Sequence, residues 1–154
     1  MNPQIRPACA ADASAISHVV VAALRESNAA DYSPDIIEQV SANFSPADIL
    51  GLLAQRQVFV ATNDQQVIAT ASLDRDVVRS VFVDPRHQGS GVGRQLMWTL
   101  HEAAVLAGID TLRVPSSLTA EGFYRRLGYE VQGEQFHGAE RTIIMHKRLP
   151  ASTA

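Results

Sequence analysis

Cysteine is almost absent from the 154-residue sequence, which contains only Cys9. A single cysteine excludes a disulfide within the chain and any metal site built from several cysteines. The histidines offer no replacement, because the sequence has neither an H-E-x-x-H motif nor a helical histidine pair with a carboxylate. We therefore predict no metal site from the five histidines, which are His18, His87, His101, His137 and His146.

The sequence also lacks an excess of positive charge and a long hydrophobic run. Its formal net charge is -3 and its pI is about 5.9, whereas a nucleic-acid-binding surface needs clustered cations. The longest apolar run, residues 19–24, is too short to cross a bilayer, and the N-terminus lacks the pattern of a secretory signal. We expect no nucleic-acid or membrane partner and a reducing, cytoplasmic setting.

Length and periodicity predict one α/β domain over residues 1–154. Capping signals at Asp12, Ser33 and Ser45 indicate three helices after a first short strand at residues 4–7. Strand-like runs and helical periods then alternate at residues 57–62, 67–73, 77–83, 91–107, 111–114, 120–128, 131–136 and 141–146. Three antiparallel strands, a helical crossover and two last strands predict a mixed, mostly antiparallel sheet with a central parallel pair, flanked by helices. The short helix at 120–128 is expected to be capped by Thr119 or Ser117.

A glycine-rich turn between a strand and a helix lies at the centre of this order. Residues 77–83 supply β-branched and aromatic side chains, and Pro85 ends the strand. Gly89, Gly91 and Gly93 follow, and the helical period begins at Val92. The first N–H groups of a helix have no intrahelical partners and attract anions, and glycine lets a ligand come close. The turn therefore predicts a phosphate-binding site.

The spacing of the glycines excludes two common phosphate loops. A Rossmann fingerprint would need a third glycine where Arg94 stands, and a Walker loop would need a G-K-[ST] ending. The remaining pattern, residues 88–93 after a strand that ends Val-x-Pro, resembles the [Q/R]-x-x-G-x-[G/A] loop of the GCN5-related N-acetyltransferases (GNAT family).

This resemblance implies an acetyltransferase fold whose two central parallel strands splay apart to admit acetyl-CoA as an extra strand. The backbone of the central strand would then contact the thioester and the pantetheine arm. Gln88 would support the loop, and Arg94 would add charge or remain a solvated helix residue. The cofactor-binding residues that the resemblance implies are Val81, Phe82, Val83, Gln88, Gly89, Ser90, Gly91, Val92, Gly93, Arg94, Ser117 and Tyr124.

A second block carries the resemblance beyond the loop. Residues 117–124 followed by Leu127-Gly128-Tyr129 resemble the family pattern N-x-x-A-x-x-[F/Y]-Y before L-G-[F/Y]. Ser117 replaces the usual asparagine, and Tyr124 is retained. The resemblance implies that Tyr124 donates a hydrogen bond to the leaving thiolate, because a phenol with a pKa of ~10 stays protonated at neutral pH. Tyr124 is the expected catalytic residue.

The sequence does not identify the general base or the acceptor. The candidates for the base are Glu26, Asp31, Tyr32, Asp74, Asp76, His137, Glu140 and a water relay. An acidic first half, with Asp35 and Glu38, favours a cationic amine acceptor, either a small amine or a peptide amine. Direct transfer in a ternary complex is expected, since no serine has a nucleophile-elbow context. A non-catalytic acyl-CoA sensor is the alternative function, and the sequence leaves open whether the chain forms a homodimer.

Overall fold

The fold is described from a computed structural model over residues 2–150. A seven-stranded sheet has the strand order β1-β2-β3-β4-β5-β7-β6, and every neighbouring pair is antiparallel except β4 and β5. This arrangement confirms the predicted mixed sheet with one central parallel pair. The strands are β1 Gln4–Pro7, β2 Gln57–Asn63, β3 Gln66–Asp74, β4 Val77–Val83, β5 Thr111–Ser116, β6 Glu130–His137 and β7 Glu140–Arg148.

Within residues 2–150, five α-helices accompany the sheet: α1 Ala13–Glu26, α2 Pro34–Ser41, α3 Pro46–Gln55, α4 Val92–Leu106 and α5 Glu121–Arg126. The predicted starts of α2 and α3 are correct. The Ser33 hydroxyl accepts the Ile36 N–H, and Ser45 and Asp48 form a reciprocal capping box. A proline follows each cap, where its fixed φ favours the first helical turn.

Two predicted caps are wrong, because other groups compete for the side chains. The Asp12 carboxylate accepts two hydrogen bonds from the Arg6 guanidinium and one from the Cys9 N–H, so it does not cap α1. The Thr119 hydroxyl donates to the Asp31 carboxylate instead of capping α5. The Asp12 oxygens are already occupied by Arg6 and Cys9, and the charge-assisted bond of Thr119 to Asp31 is stronger than a neutral hydroxyl cap.

Apolar side chains fill both faces of the sheet. Leu96, Met97 and Leu100 of α4 are fully buried in one cluster, with Leu112 and Met145 of the strands. The second cluster packs α1 and α3 against the other face. Because both faces are covered, strand β3 is buried on both sides over most of its length. The central strands are thereby fixed between two layers of helices.

Candidate active site

The two central strands separate soon after they begin. Strand β4 pairs with β5 at one register position, Val77 with Arg113. Ser80 has a φ of +53°, and the register against β3 shifts from Ser72–Arg79 to Thr70–Phe82, so β4 contains one extra residue. Such a β-bulge bends its strand and increases its twist. Beyond Ser80, the edge of β4 that faces β5 has no ladder partner among the described residues.

The glycine turn lies where the bent strand leads into α4. Gly91 is the N-cap residue with a φ of +87°, and Gly89 has a φ of +76°. A Cβ atom at either glycine would have no neighbour within 4 Å, so both face open space. The first backbone bond of α4 runs from the Gln95 N–H to the Gly91 carbonyl. The N–H groups of residues 92–94 therefore have no helical partner and point toward an incoming anion.

A cavity of about 480 Å³, the first cavity, opens between this turn, β4 and α5. All of the cofactor-binding residues predicted from the sequence line it except Ser90, whose hydroxyl donates to the His87 carbonyl within the turn. The predicted residues that it brings together are Val81, Phe82, Val83, Gln88, Gly89, Gly91, Val92, Gly93, Arg94, Ser117 and Tyr124.

The wall of the first cavity is braced by contacts that the sequence did not reveal. The Gln88 amide donates to the Ser27 hydroxyl at 2.6 Å, which connects the turn to the end of α1. The Phe123 ring packs 3.4 Å from the position that a Cβ atom of Gly93 would occupy. A glycine at position 93 thus allows α5 to lie close to the first turn of α4.

A second cavity of about 280 Å³ is lined by residues of α2, β4 and the β6–β7 hairpin. The two cavities share a wall, and we call that shared wall the junction. The junction consists of Asn28, Val81, Phe82, Ser117, Ala120 and Tyr124.

Tyr124 is the buried aromatic residue of the junction. It is 4% exposed, and its ring lies edge-on to the rings of Phe123 and Tyr129, at centroid distances of 5.2 and 5.5 Å. Burial, followed by the effect of Tyr129, raises the pKa of the Tyr124 phenol above its ordinary value. The Tyr129 hydroxyl lies 2.8 Å from Nε2 of His101 and is engaged there. Tyr124 is therefore a protonated hydrogen-bond donor at neutral pH.

Ser117 occupies the junction with its hydroxyl partly engaged. Its Oγ accepts a hydrogen bond from the Ala120 N–H at 3.1 Å, which closes the turn before α5. Ser117 was one of the two residues predicted to cap α5, and its hydroxyl instead closes the turn that precedes this helix. A hydroxyl that accepts one bond can still donate its own proton to a ligand.

The structure separates the candidates for the general base. His137, Glu140 and Tyr32 line the second cavity, whereas Glu26, Asp31, Asp74 and Asp76 line neither cavity. Asp76 forms an ion pair with Arg113 at 3.6 Å, at the far end of β4. The acidic residues expected to attract a cationic acceptor also lie outside, with Glu38 paired to Arg25.

Tyr32 and Asn28 are the residues whose positions the sequence did not indicate. The Tyr32 hydroxyl donates to the Arg141 carbonyl at 2.7 Å and accepts the Leu118 N–H at 2.9 Å. Burial raises the pKa of this phenol, so Tyr32 acts as a brace between distant segments rather than as a base. Asn28 is buried at the junction after α1. No sequence signal marks contacts across 86 and 109 residues.

Residues 2–150 contain no group of three or more His, Cys, Asp or Glu side chains arranged to hold a metal ion. Over the same range, no helix is long and apolar enough to span a membrane.

Known proteins resemble this chain in sequence and in fold. A family model described as an acetyltransferase (GNAT) domain matches residues 28–148. The peptidyl-lysine N-acetyltransferase YjaB of Salmonella typhimurium is 28% identical over 82 residues, which are 53% of this chain and 55% of that protein. The chain thus aligns with only about half the length of that curated relative.

Solved structures match over nearly the whole chain. A GCN5-related N-acetyltransferase from Rhodopseudomonas palustris is 26% identical, with a TM-score of 0.92 over 97% of both chains. The acetyltransferase yncA from Salmonella typhimurium, solved with its cofactor acetyl-CoA, is 25% identical. Its TM-score is 0.66, with 100% of this chain and 98% of that chain covered.

Proposed function

The chain belongs to the GNAT acetyltransferase family, as its motifs predicted, and from this premise we propose that it transfers an acetyl group from acetyl-CoA directly to an amine. The observation that carries the proposal is the junction, where a cavity beside the glycine turn meets a second cavity at Tyr124. Two substrates bound in adjoining cavities can meet at the lining that the cavities share and react there without a covalent enzyme intermediate.

The first cavity has the groups that acetyl-CoA requires. The unpaired N–H groups of residues 92–94 would hold the diphosphate, with the positive φ of Gly91 turning the backbone toward it. The unpaired edge of β4 at Val81 and Val83 would accept the pantetheine arm as a short added strand. The structure of yncA with its cofactor acetyl-CoA supports this assignment.

Bound acetyl-CoA supplies a thioester, and a neutral amine supplies the nucleophile. The nitrogen lone pair forms the amide C–N bond, the C–S bond breaks, and sulfur leaves with the bonding pair. The nitrogen releases one proton, and the thiolate finally takes up one proton. The backbone N–H groups of the free β4 edge would donate to the carbonyl oxygen as charge develops there.

Tyr124 stabilises the departing sulfur by donating a hydrogen bond. An ordinary phenol (pKa ~10) is already a weaker acid than a thiol (pKa ~8.5). Burial raises the pKa of Tyr124 further, so complete proton transfer to sulfur is unfavourable. A neutral donor that strengthens its bond as negative charge builds on sulfur lowers the barrier selectively.

The second cavity receives the amine acceptor and the released proton. His137 and Glu140 are the titratable side chains from the candidate set that line it together with the braced Tyr32. We assign proton removal to one of the first two or to a water that they hold. The relative YjaB acts on peptidyl lysine, which makes a lysine peptide one acceptor class to test. The single cysteine suits a reducing cytoplasm as the site of action.

Thermal unfolding with candidate cosubstrates tests the proposal. A ligand at ~100 times its dissociation constant stabilises the folded state by about 2.7 kcal/mol. Acetyl-CoA and CoA should therefore raise Tm, while NAD and ATP should not. A shift with NAD or ATP alone would contradict the assignment of the first cavity.

Acceptor-dependent release of CoA thiol distinguishes the enzyme from a non-catalytic sensor of acyl-CoA. The substitution of serine for asparagine at position 117 is the observation that favours the sensor. Free thiol that appears only with an amine excludes that alternative. Tight binding of acetyl-CoA without release across amines and lysine peptides would establish it.

A further inference from the structure

Two arginines line the second cavity. Arg56 follows α3, and Arg79 precedes the bulge in β4. The Arg56 guanidinium donates to the Ser80 hydroxyl at 3.1 Å, which fixes its position against the bulge.

Neither of these two arginines has an ion-pair partner among residues 2–150, where seven other arginines each form an ion pair. Arg56 is half-buried. Its pKa is lowered first by burial and then by the charge of Arg79, and the charge of Asp74 has a smaller, opposite effect. A half-buried cation beside a second cation is destabilised unless an anion joins them.

The rest of the second cavity is mainly apolar on its helical side. Ile36, Ile37 and Val40 of α2 line it together with Phe44 and Phe82, whose rings pack edge-on at 5.9 Å. The β6–β7 hairpin contributes Glu140 and His137 to the lining. The cavity thus combines two cations, an apolar helical side and a carboxylate that can pair with a positive group.

Building on the proposed function, we propose that the acceptor is an amine that carries a carboxylate on an apolar body, with the carboxylate bound by Arg56 and Arg79. Guanidinium groups bind carboxylates through paired, charge-assisted hydrogen bonds. The acetyl group would form the C–N bond at the amine as the thioester C–S bond breaks, sulfur would keep the electron pair, and the carboxylate would be unchanged. A basic peptide would place further positive charge beside the two arginines and is disfavoured.

Matched pairs of acceptors that differ in the carboxylate test this assignment. The first pair is L-leucine and 3-methylbutylamine. The second pair is 6-aminohexanoate and hexylamine, and in 6-aminohexanoate a longer chain separates the amine from the carboxylate. CoA thiol release with acetyl-CoA gives kcat/KM for each compound. A charge-assisted hydrogen bond is worth a factor of ~10 to 100, so at least one carboxylate-bearing member should exceed its partner by that factor.

Arg79→Gln is the most informative variant, because Arg79 is exposed and its removal leaves the core and the bulge contact of Arg56 intact. It should lower kcat/KM by about tenfold for the carboxylate-bearing compound and leave the plain amine unchanged. Arg148→Gln changes the net charge equally from an exposed position outside both cavities and should alter neither rate. An undiminished preference in Arg79→Gln would overturn the proposal.

Calorimetric binding of the same compounds to the CoA-loaded protein separates this inference from the proposed function. Turnover with no preference for a carboxylate leaves acetyl transfer standing and overturns the anion site. Binding of a carboxylate-bearing compound to the wild type but not to Arg79→Gln, without thiol release, supports the anion site and contradicts transfer. Equal or absent binding within every pair, with no turnover preference, overturns the inference.

Discussion

The two cavities that meet at the junction are built in different ways. One wall of the first cavity is a continuous stretch, in which the free edge of β4 leads into Gly89, Gly91 and the unpaired N–H groups of α4. The second cavity is assembled from side chains of α2, the α3–β2 connection, β4 and the β6–β7 hairpin. Backbone recognition requires glycines at fixed spacing and leaves a sequence signature, whereas side-chain recognition from distant segments leaves none.

Tyr124→Phe tests the junction itself and should have the largest effect. The variant loses one hydroxyl and keeps the ring packed against Phe123 and Tyr129. If the hydroxyl acts as charge builds on sulfur, the chemical step slows by ~10 to 10³-fold while the affinity for acetyl-CoA changes little. Single-turnover thiol release measures that step directly.

Tyr129→Phe is the matched control for Tyr124. Its hydroxyl contacts His101 rather than the cavities, so its loss should reduce stability by ~1 to 3 kcal/mol with little effect on the chemical step. An unchanged chemical step in Tyr124→Phe, with fold and affinity intact, would make Tyr124 a core aromatic only.

Acidic pH should lower the free energy of unfolding because His101 is buried. Burial, with a smaller effect of Lys147, lowers its pKa from 6.5 to about 4. The unfolded chain therefore binds the proton first, and stability falls as the pH drops from about 6.5 to about 4. At 1.36 kcal/mol per pKa unit, the loss is about 3 kcal/mol.

Urea unfolding between pH 7 and pH 4 checks this loss, with His101→Gln as the comparison. The variant should show a much flatter dependence in that range. The buried Asp12, whose pKa is lowered to about 2 chiefly by its hydrogen bonds from Arg6, contributes only below about pH 4. An equal pH dependence in wild type and variant would show that His101 does not cause the loss of stability.

Gly91→Ala should damage the first cavity specifically. Its φ of +87° strains any other residue by ~1 to 2 kcal/mol, and the added Cβ faces the position proposed for the diphosphate. If the added Cβ holds the anion away from one of the N–H groups of residues 92–94, acetyl-CoA binding should weaken by about tenfold. Calorimetry measures the affinity.

Gly108→Ala is the matched control, because it introduces the same backbone strain at the other end of α4. Gly108 has a φ of +79° and open space around a Cβ atom. This variant should lose similar stability and keep its affinity for acetyl-CoA. Equal affinity losses in both variants would show that backbone strain, not the diphosphate contact, is responsible.

Tyr32→Phe should disturb the second cavity with the smallest effect of the series. The Leu118 N–H and the Arg141 carbonyl lose their shared partner, which should lower the free energy of unfolding by about 1 kcal/mol. The same loss should raise KM for the acceptor more than KM for acetyl-CoA. Thr119→Val removes an exposed hydrogen bond to Asp31 in the same region and should change stability by less than ~0.5 kcal/mol. A rise in KM for acetyl-CoA alone would contradict the division between the cavities.

The sequence predicted those features that depend on local chemistry. The capping box at Ser45, the antiparallel strands before the turn and the start of α4 follow from propensity and glycine spacing. The bulge at Ser80 was not predicted, because a serine gives no sign of positive φ. The brace at Tyr32 and the arginine pair join segments far apart in the chain, and only the folded topology brings them together.

Thiol release in the absence of any amine tests direct transfer most directly. The protein is used at a concentration at which one equivalent of free thiol lies well above the detection limit. It is mixed with acetyl-CoA alone, and free CoA is measured before and after an amine acceptor is added. Direct transfer across the junction predicts no thiol until the amine arrives, and intersecting double-reciprocal lines in steady state. One equivalent of thiol released before the amine would reveal an acyl-enzyme and contradict transfer in a ternary complex.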